Sequence, residues 1–166
     1  MLTDYEFRQI NISESSQASE IEHVCFPPNE ADGPEVMDRR IKALSHLFYV
    51  AIDRKTGKLA GYINGISTNE GKFRDEFFTN EALNDDAGTN IMLVGIAVLP
   101  KHQHQGLAAE LVRRYKAIEK SAGKKSLILT CHDTKVPMYS KWGFIDLGMA
   151  DSTWGGDVWH EMRCKL

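Results

Sequence analysis

The sequence predicts an α/β protein in which one mixed sheet of about seven strands is flanked by about four helices. Apolar runs of strand length recur along all 166 residues, each bounded by turn-forming residues. An amphipathic stretch between two of these runs has the length of a crossover helix, which parallel neighbours in a sheet require. The chain length suits a single compact unit, so we expect one domain over residues 1–166.

The first predicted elements are a strand and a helix. Residues 5–10 alternate between apolar and polar side chains, which is typical of a half-buried strand, and the serines in 13–16 supply N-caps for a helix. The residues expected to face the core from this helix are Ala18, Ile21 and Val24. Adjacent prolines at 27 and 28 cannot continue a helix, because proline lacks the amide hydrogen.

A second helix is predicted from Pro34 to about Ser45, with Met37, Ile41 and Leu44 on its inner stripe. Two strands, 47–52 and 59–66, then form a hairpin in which Gly57 can adopt a positive φ. The remaining elements are a polar excursion with short helical turns over 69–90, strands over 91–99, 126–131, 144–149 and 158–164, and helices over 107–122 and 133–142.

Composition restricts the classes of function. The 20 basic and 23 acidic residues leave a net charge of −3, which argues against general binding to nucleic acid or to anionic membranes and favours a small-molecule partner. No apolar run has transmembrane length and the N-terminus lacks a signal-peptide pattern, so we expect a cytoplasmic protein. The three cysteines are far apart, which supports neither a disulfide framework nor a metal site.

The strongest functional signal is the strand, turn and helix of residues 91–115. An apolar run ends at Pro100, and the small residues Gly106 and Ala108 follow where a helix begins. Amides at a helix N-terminus lack intrahelical partners, so this segment can bind an anion. Neither the P-loop nor the three-glycine dinucleotide fingerprint is present. The pattern is instead Gln103-x-x-Gly106-x-Ala108.

In these residues the sequence resembles the GNAT superfamily of acetyl-CoA-dependent N-acetyltransferases, whose pyrophosphate loop reads Q/R-x-x-G-x-G/A. The likeness runs from the first strand to the last and includes the Y-x-x-x-G-F pattern that begins at Tyr139. Residues 25–30 and Val136-Pro137 look like the arylalkylamine (serotonin-type) branch. The resemblance implies a mostly antiparallel GNAT-like sheet.

Carried over to this sequence, the resemblance implies that Ile96, Ala97 and Val98 contact the pantetheine arm of acetyl-CoA. It implies a pyrophosphate site that begins at Gln103 and uses the amides of His104, Gln105, Gly106, Leu107, Ala108 and Ala109. Cys131 matches a cofactor-contacting position, and Tyr139 matches the tyrosine that protonates the departing thiolate. A tyrosine hydroxyl suits this role because it remains protonated at neutral pH.

One departure concerns the base. The animal enzymes of that branch carry two histidines on the central strand, at the positions of Met92 and Val94 here. A protonated amine cannot attack a thioester, so another group or a water chain must take its proton. The candidates are Glu30, His132 and His160, and the sequence does not rank them.

Several residues allow two interpretations. Cys131 is either an inert buried thiol, which we favour, or a nucleophile. His102 and His104 are expected to face solvent and not to form a metal pair. Phe26, Pro27 and Glu30 are the predicted acceptor-binding residues. Other apolar residues that either line an amine pocket or form minor packing clusters are Pro28, Phe73, Phe77 and Trp154.

The function predicted from the sequence is transfer of an acetyl group from acetyl-CoA to the primary amine of a small molecule, by direct attack and without a metal. Two alternatives remain open: an acetyltransferase that acts on a protein or peptide, and a catalytically weak acetyl-CoA-binding module. The protein is expected to be a monomer or a homodimer.

Overall fold

The computed structural model describes residues 2–166, so the first residue of the predicted domain 1–166 lies outside the described residues. Within them, seven strands form one sheet in the order β1-β2-β3-β4-β5-β7-β6. The strands are β1 (Tyr5–Gln9), β2 (Phe48–Asp53), β3 (Leu59–Thr68), β4 (Asn90–Val98), β5 (Ser126–Cys131), β6 (Ile145–Met149) and β7 (His160–Lys165). The helices are α1 (Ser15–Cys25), α2 (Pro34–Leu44), α3 (Leu107–Ser121) and α4 (Val136–Lys141). The predicted fold class is confirmed.

The sheet is mixed because one neighbouring pair is parallel. β4 and β5 run in parallel, with Asn90 opposite Ser126 and Met92 opposite Ile128, and α3 connects them as a crossover. The antiparallel pairs include β1 with β2, β2 with β3, β5 with β7 and β6 with β7. The predicted hairpin is confirmed, and Gly57 has a φ of +69° in its turn.

The helices of residues 2–166 include none that is both long and apolar enough to cross a membrane. The longest of the four, α3, has 15 residues and carries several charged side chains.

The chain divides into two compact units. The first unit comprises Met1–Asn64 and Gly95–Val112, and the second comprises Gly65–Val94 and Arg113–Leu166. The core of the first unit is contributed by α1, α2, strands β2 to β4 and the residue after β1, through Ile10, Ala18, Ile21, Met37, Ile41, Phe48, Val50, Ile52, Leu59, Tyr62 and Ala97.

The inner face of α1 differs from the prediction at one position. Ala18 and Ile21 are buried, but Val24 is 52% exposed, so its assignment to the core is wrong. An α-helix turns by about 100° per residue, which places position i+6 far from position i and position i+7 close to it. Cys25, seven residues after Ala18, accordingly packs against the core.

In the second unit, the polar excursion contains the predicted short helical turns, at Asp75–Phe78 and Glu81–Leu83. Phe73 and Phe77 are buried and their rings meet at 5.9 Å between centroids. The amide of Phe73 also donates to Glu161 Oε1 at 3.0 Å. These two phenylalanines therefore form a packing cluster, which was one of their two predicted roles.

Close contact between β3 and β4 depends on glycine. A Cβ at Gly61 would lie 2.6 Å from the carbonyl oxygen of Ala97, in the first unit. A Cβ at Gly65 would lie 2.4 Å from Ile91 Cγ2, in the second unit. Side chains at these positions would displace backbone or core atoms, because real Cβ contacts do not approach this closely.

Alanine substitutions on α1 test the position of its inner face. Ile21→Ala should lower the free energy of unfolding by about 2–4 kcal/mol, because it leaves a cavity in the core of the first unit. Val24→Ala on the same helix should change it by less than about 0.5 kcal/mol, because Val24 is exposed. Urea denaturation of both variants measures the difference, and equal losses would contradict the burial that the structure shows.

Candidate functional site

The turn between β4 and α3 is held by side-chain amides. Gln103 Nε2 donates to the carbonyl oxygen of Val98 at 2.8 Å, and Gln105 Nε2 donates to that of His102 at 3.1 Å. The first of these bonds connects the middle of the turn to the end of the strand. The turn is therefore fixed by the residues of the predicted motif themselves.

The backbone of this turn enters the left-handed region twice. His104 has a φ of +62° and Gly106 a φ of +84°, and a Cβ at Gly106 would meet no heavy atom within 4 Å. Glycine is thus needed at 106 for its conformation, and the space beside it is open. Successive turn amides followed by the first amides of α3, which lack intrahelical partners, are the donors that an anion-binding turn requires. A pyrophosphate fits this arrangement.

His102 contradicts the prediction that it faces solvent. It is buried, and its Nδ1 shares a hydrogen bond of 2.7 Å with the hydroxyl of Tyr5. The rings meet edge to face with centroids 5.5 Å apart, and burial lowers the pKa of the imidazole. His104 is exposed, as predicted.

The C-terminal end of β4 carries the residues assigned to the pantetheine arm. Ile96 is half-buried, whereas Ala97 and Val98 are buried. The carbonyl oxygen of Val98 accepts the hydrogen bond from Gln103 and a second one from Cys25 Sγ at 3.4 Å. This end of the strand is therefore connected both to the turn and to α1.

In the second unit, Cys131 ends β5 as a buried thiol. Its Sγ lies 3.6 Å from Met162 Sδ, and burial, with smaller effects of Asp146 and Asp133, raises its pKa to about 11. A thiol with this pKa is protonated at neutral pH and is a poor nucleophile. The structure favours the interpretation of Cys131 as an inert thiol.

Tyr139 lies on α4 and is half-buried. Its ring meets those of Trp142 and Phe144 edge to face, with centroids 5.4 Å and 5.7 Å apart. Burial, and to a lesser extent Cys131, raises the pKa of its hydroxyl well above the ordinary tyrosine value. The hydroxyl is thus a proton donor over the whole physiological pH range.

The predicted acceptor-binding residues follow α1 in the first unit. Phe26 is half-buried and packs against the core, Pro27 is exposed, and Glu30 is half-buried. The carbonyl of Pro27 accepts hydrogen bonds from the amides of Glu30 and Ala31, both at 2.9 Å. These residues form one turn, and of the three, Phe26 also serves packing.

The two histidines considered as bases have partners in the second unit. His132 stacks on Trp159 with centroids 4.1 Å apart. Nδ1 of His160 lies 3.1 Å from both carboxylate oxygens of Asp146.

A buried cluster of charged residues in the first unit was not predicted from the sequence. Glu22 on α1 accepts a hydrogen bond from the hydroxyl of Tyr62 and one from the amide of Asp32, the latter at 3.1 Å. The Asp32 carboxylate pairs with Arg40 at 3.0 Å, and both side chains are almost completely buried. Burial, and then the charge of Asp32, raises the pKa of Glu22 to about 7. The signal available in the sequence was its position four residues after Ala18, on the buried face of α1.

A family model described as the acetyltransferase (GNAT) family matches residues 16–144 of the chain. Similar solved structures include the loading GNATL domain of CurA from Lyngbya majuscula, which is 14% identical with a TM-score of 0.81, each chain being covered over 97%. Another is yncA from Salmonella typhimurium, a putative acetyltransferase with its cofactor acetyl-CoA, at 15% identity and a TM-score of 0.69, covering 98% of this chain and 94% of that one.

A third similar structure is the NatC complex bound to Gag peptide and CoA. The match is 14% identical with a TM-score of 0.78, and it covers 98% of this chain and 99% of that one. At these identities the three structures establish a shared fold.

The raised pKa of Glu22 predicts how stability depends on pH. The folded protein binds the Glu22 proton more tightly than the unfolded chain does, so the stabilisation is complete below the ordinary pKa of 4.5 and is lost as the pH rises through about 7. The free energy of unfolding relative to Glu22→Gln should therefore fall by about 3 kcal/mol over this range.

Urea denaturation of both proteins between pH 4.5 and pH 8 measures this difference. Glu20→Gln, at an exposed position of the same helix, is the matched control and should follow the unmodified protein. A constant difference between the Glu22→Gln variant and the unmodified protein would contradict the assignment of a raised pKa to Glu22.

Proposed function

Since the chain belongs to the acetyltransferase (GNAT) family, we propose that it transfers the acetyl group of acetyl-CoA to the primary amine of a small molecule. The observation that carries this proposal is the turn before α3, in which His104 and Gly106 hold positive φ angles beside open space. The yncA structure, of the same fold, contains acetyl-CoA at its own site. Residues 1–166 would act as one acetyltransferase domain.

We assign the pyrophosphate of acetyl-CoA to the amides of residues 104–109, with Gln103 fixing the turn through its bond to Val98. The positive end of the α3 dipole favours the anion without a lysine. Ile96, Ala97 and Val98 are assigned to the pantetheine arm. Cys131 is assigned a cofactor contact through its buried, uncharged thiol.

When bound, acetyl-CoA supplies an acetyl thioester. The neutral amine attacks its carbonyl carbon directly, and a strand amide near Val98 polarises the carbonyl oxygen. Tyr139 donates a proton to the departing sulfur, and the acylated nitrogen then releases its extra proton to the Tyr139 oxygen, which restores the hydroxyl. Burial raises the pKa of Tyr139 well above its ordinary value, so the hydroxyl is protonated before the transfer. No covalent enzyme intermediate is needed, in agreement with the high pKa of Cys131.

The acceptor is assigned to the class of small arylalkylamines, with Phe26, Pro27 and Glu30 at its site. The sequence likeness of residues 25–30 and of Val136-Pro137 to the arylalkylamine branch supports this choice. Met92 and Val94, at the relay positions of that branch, have no titratable group, so we assign the base to another residue of this chain.

A second candidate acceptor is a peptide. The NatC complex, whose fold this chain shares, is bound to a Gag peptide and CoA. The two acceptor classes are separated by one assay of thiol release from acetyl-CoA with phenethylamine, an indole amine, a polyamine and short peptides. Release with phenethylamine or the indole amine, and little with peptides, is expected. Acetyl-CoA binding without release for any acceptor would identify a binding module and contradict the proposal.

Gly106→Ala tests the pyrophosphate site. Alanine at a positive φ is strained by about 1–2 kcal/mol, so the turn should relax and the Kd for acetyl-CoA should rise about tenfold. Gly123→Ala, at the other end of α3, is the matched control, because Gly123 has a φ of +88° and equally open surroundings. Calorimetry should show an unchanged Kd for that variant, and an equal loss in both would contradict the assignment.

Tyr139→Phe tests the proton donor. The variant keeps the ring contacts with Trp142 and Phe144, so the Kd for acetyl-CoA should stay within about twofold. Turnover should fall about 100-fold, because the departing thiolate loses its acid. An unchanged kcat in the thiol-release assay would exclude this role for Tyr139.

A further inference from the structure

The base that the sequence leaves unassigned must satisfy a chemical requirement. The amine reaches the protein mostly as an ammonium ion and has to lose one proton before it can attack. The group that takes this proton needs a lone pair directed at the acceptor site and a proton affinity suited to neutral pH. This inference rests on the proposed acetyltransferase function.

We propose that Tyr62 relays the amine proton to the carboxylate of Glu22, the two residues forming the proton-accepting side of the acceptor site next to Gly95. Glu22 lies on the last turn of α1 and Tyr62 lies on β3, and the Tyr62 hydroxyl donates to Glu22 Oε1. This pair connects α1 with the middle of the sheet.

The Tyr62 ring extends to β4 at a residue without a side chain. A Cβ at Gly95 would lie 3.2 Å from Tyr62 Cε1 and 3.9 Å from its hydroxyl oxygen. Gly95 is half-buried and directly precedes Ile96, the first residue assigned to the pantetheine arm. The absence of a side chain at Gly95 lets the buried Tyr62 ring and hydroxyl lie directly against the strand assigned to the acetyl donor.

Asn64 provides an independent indication of a ligand at the same place. It lies two residues after Tyr62 on β3, hence on the same face, and its Nδ2 donates to the carbonyl of Gly95 at 3.4 Å. Its Oδ1 is buried and has no hydrogen-bond donor among residues 2–166. Buried acceptors in native proteins are nearly always satisfied, so an N–H of a bound molecule is the natural partner.

The charges around Glu22 suit it for holding one proton. Asp32 and Arg40 form the neighbouring ion pair, and burial, followed by the charge of Glu22, raises the pKa of the Cys25 thiol. With Glu22 protonated this buried group is neutral, and with Glu22 ionised it carries one negative charge. The Glu22 pKa of about 7 lets both forms exist at neutral pH.

The proton passes from the ammonium group to Glu22 through the Tyr62 hydroxyl. The Tyr62 oxygen takes a proton from the ammonium group while its own hydroxyl proton passes to Glu22 Oε1. The ammonium becomes a neutral amine, the Glu22 carboxylate becomes a carboxylic acid, and Tyr62 is unchanged. The Tyr62 pKa lies well above its ordinary value, which keeps the relay protonated between turnovers. Glu22 returns its proton to solvent after the product leaves.

The test is the pH dependence of thiol release by the full chain with acetyl-CoA and phenethylamine. In the unmodified protein, kcat should rise with pH through a limb near 7. In Glu22→Gln, kcat should no longer rise with pH near 7, and at pH 7 it should be at least about 100-fold lower than in the unmodified protein. The Kd of this variant for acetyl-CoA should stay unchanged. Tyr62→Phe should lose a similar factor, and the exposed control Glu20→Gln should lose nothing.

A second acceptor separates proton transfer from a structural effect. Benzylhydrazine has the skeleton of phenethylamine but a less basic terminal nitrogen, so Glu22→Gln should lose less activity with it. An equal loss with both acceptors, or a limb retained in Glu22→Gln, would overturn the relay. If either variant does not fold, a flat kcat profile of the unmodified protein between pH 5.5 and pH 8.5 would overturn it equally. Absence of thiol release with every acceptor would instead reject the proposed function itself.

Discussion

The close approach of β3 and β4 is the constraint on which the described site depends. Gly61 and Gly65 permit it on β3, and Gly95 receives the Tyr62 ring and the Asn64 amide on β4. A side chain at any of these positions would force neighbouring atoms to move, and packed interiors absorb such shifts poorly. The strand assigned to the cofactor and the buried polar residues beside it are therefore positioned by the same backbone contact.

Two kinds of polar burial serve different purposes in the first unit. The hydrogen bond between Tyr5 and His102 is neutral and satisfied, so it fixes the start of the turn between β4 and α3 at little electrostatic cost. Glu22 and Asp32 instead place two carboxylates near one guanidinium, which is unfavourable for stability once both are ionised. Buried carboxylates that outnumber their cationic partners are unusual in a purely structural cluster. They are common at sites where a proton is exchanged.

Most elements were predictable because their signals are local: alternation for β1, helical spacing for α2 and α3, and glycine for the turns. The prediction for Val24 is wrong because position i+6 does not lie on the same helix face as position i. The environments of His102 and Glu22 could not be predicted, because their partners lie 97 and 40 residues away in sequence. Gly106 indicated a turn before α3, but no residue pattern indicates that His104 also adopts a positive φ.

The separation of Tyr5 from His102 also bears on how the chain acquires its structure. Because the first unit is completed by Gly95–Val112, a nascent chain that has emerged only to Asn64 lacks both β4 and the partner of Tyr5. Contacts between residues this distant in sequence form late, and they make folding slow. The entropy cost of closing the long loop comes before the contact can stabilise it. During synthesis the segment up to Asn64 should therefore remain open, with its apolar surface exposed, until the residues up to Val112 have left the ribosome.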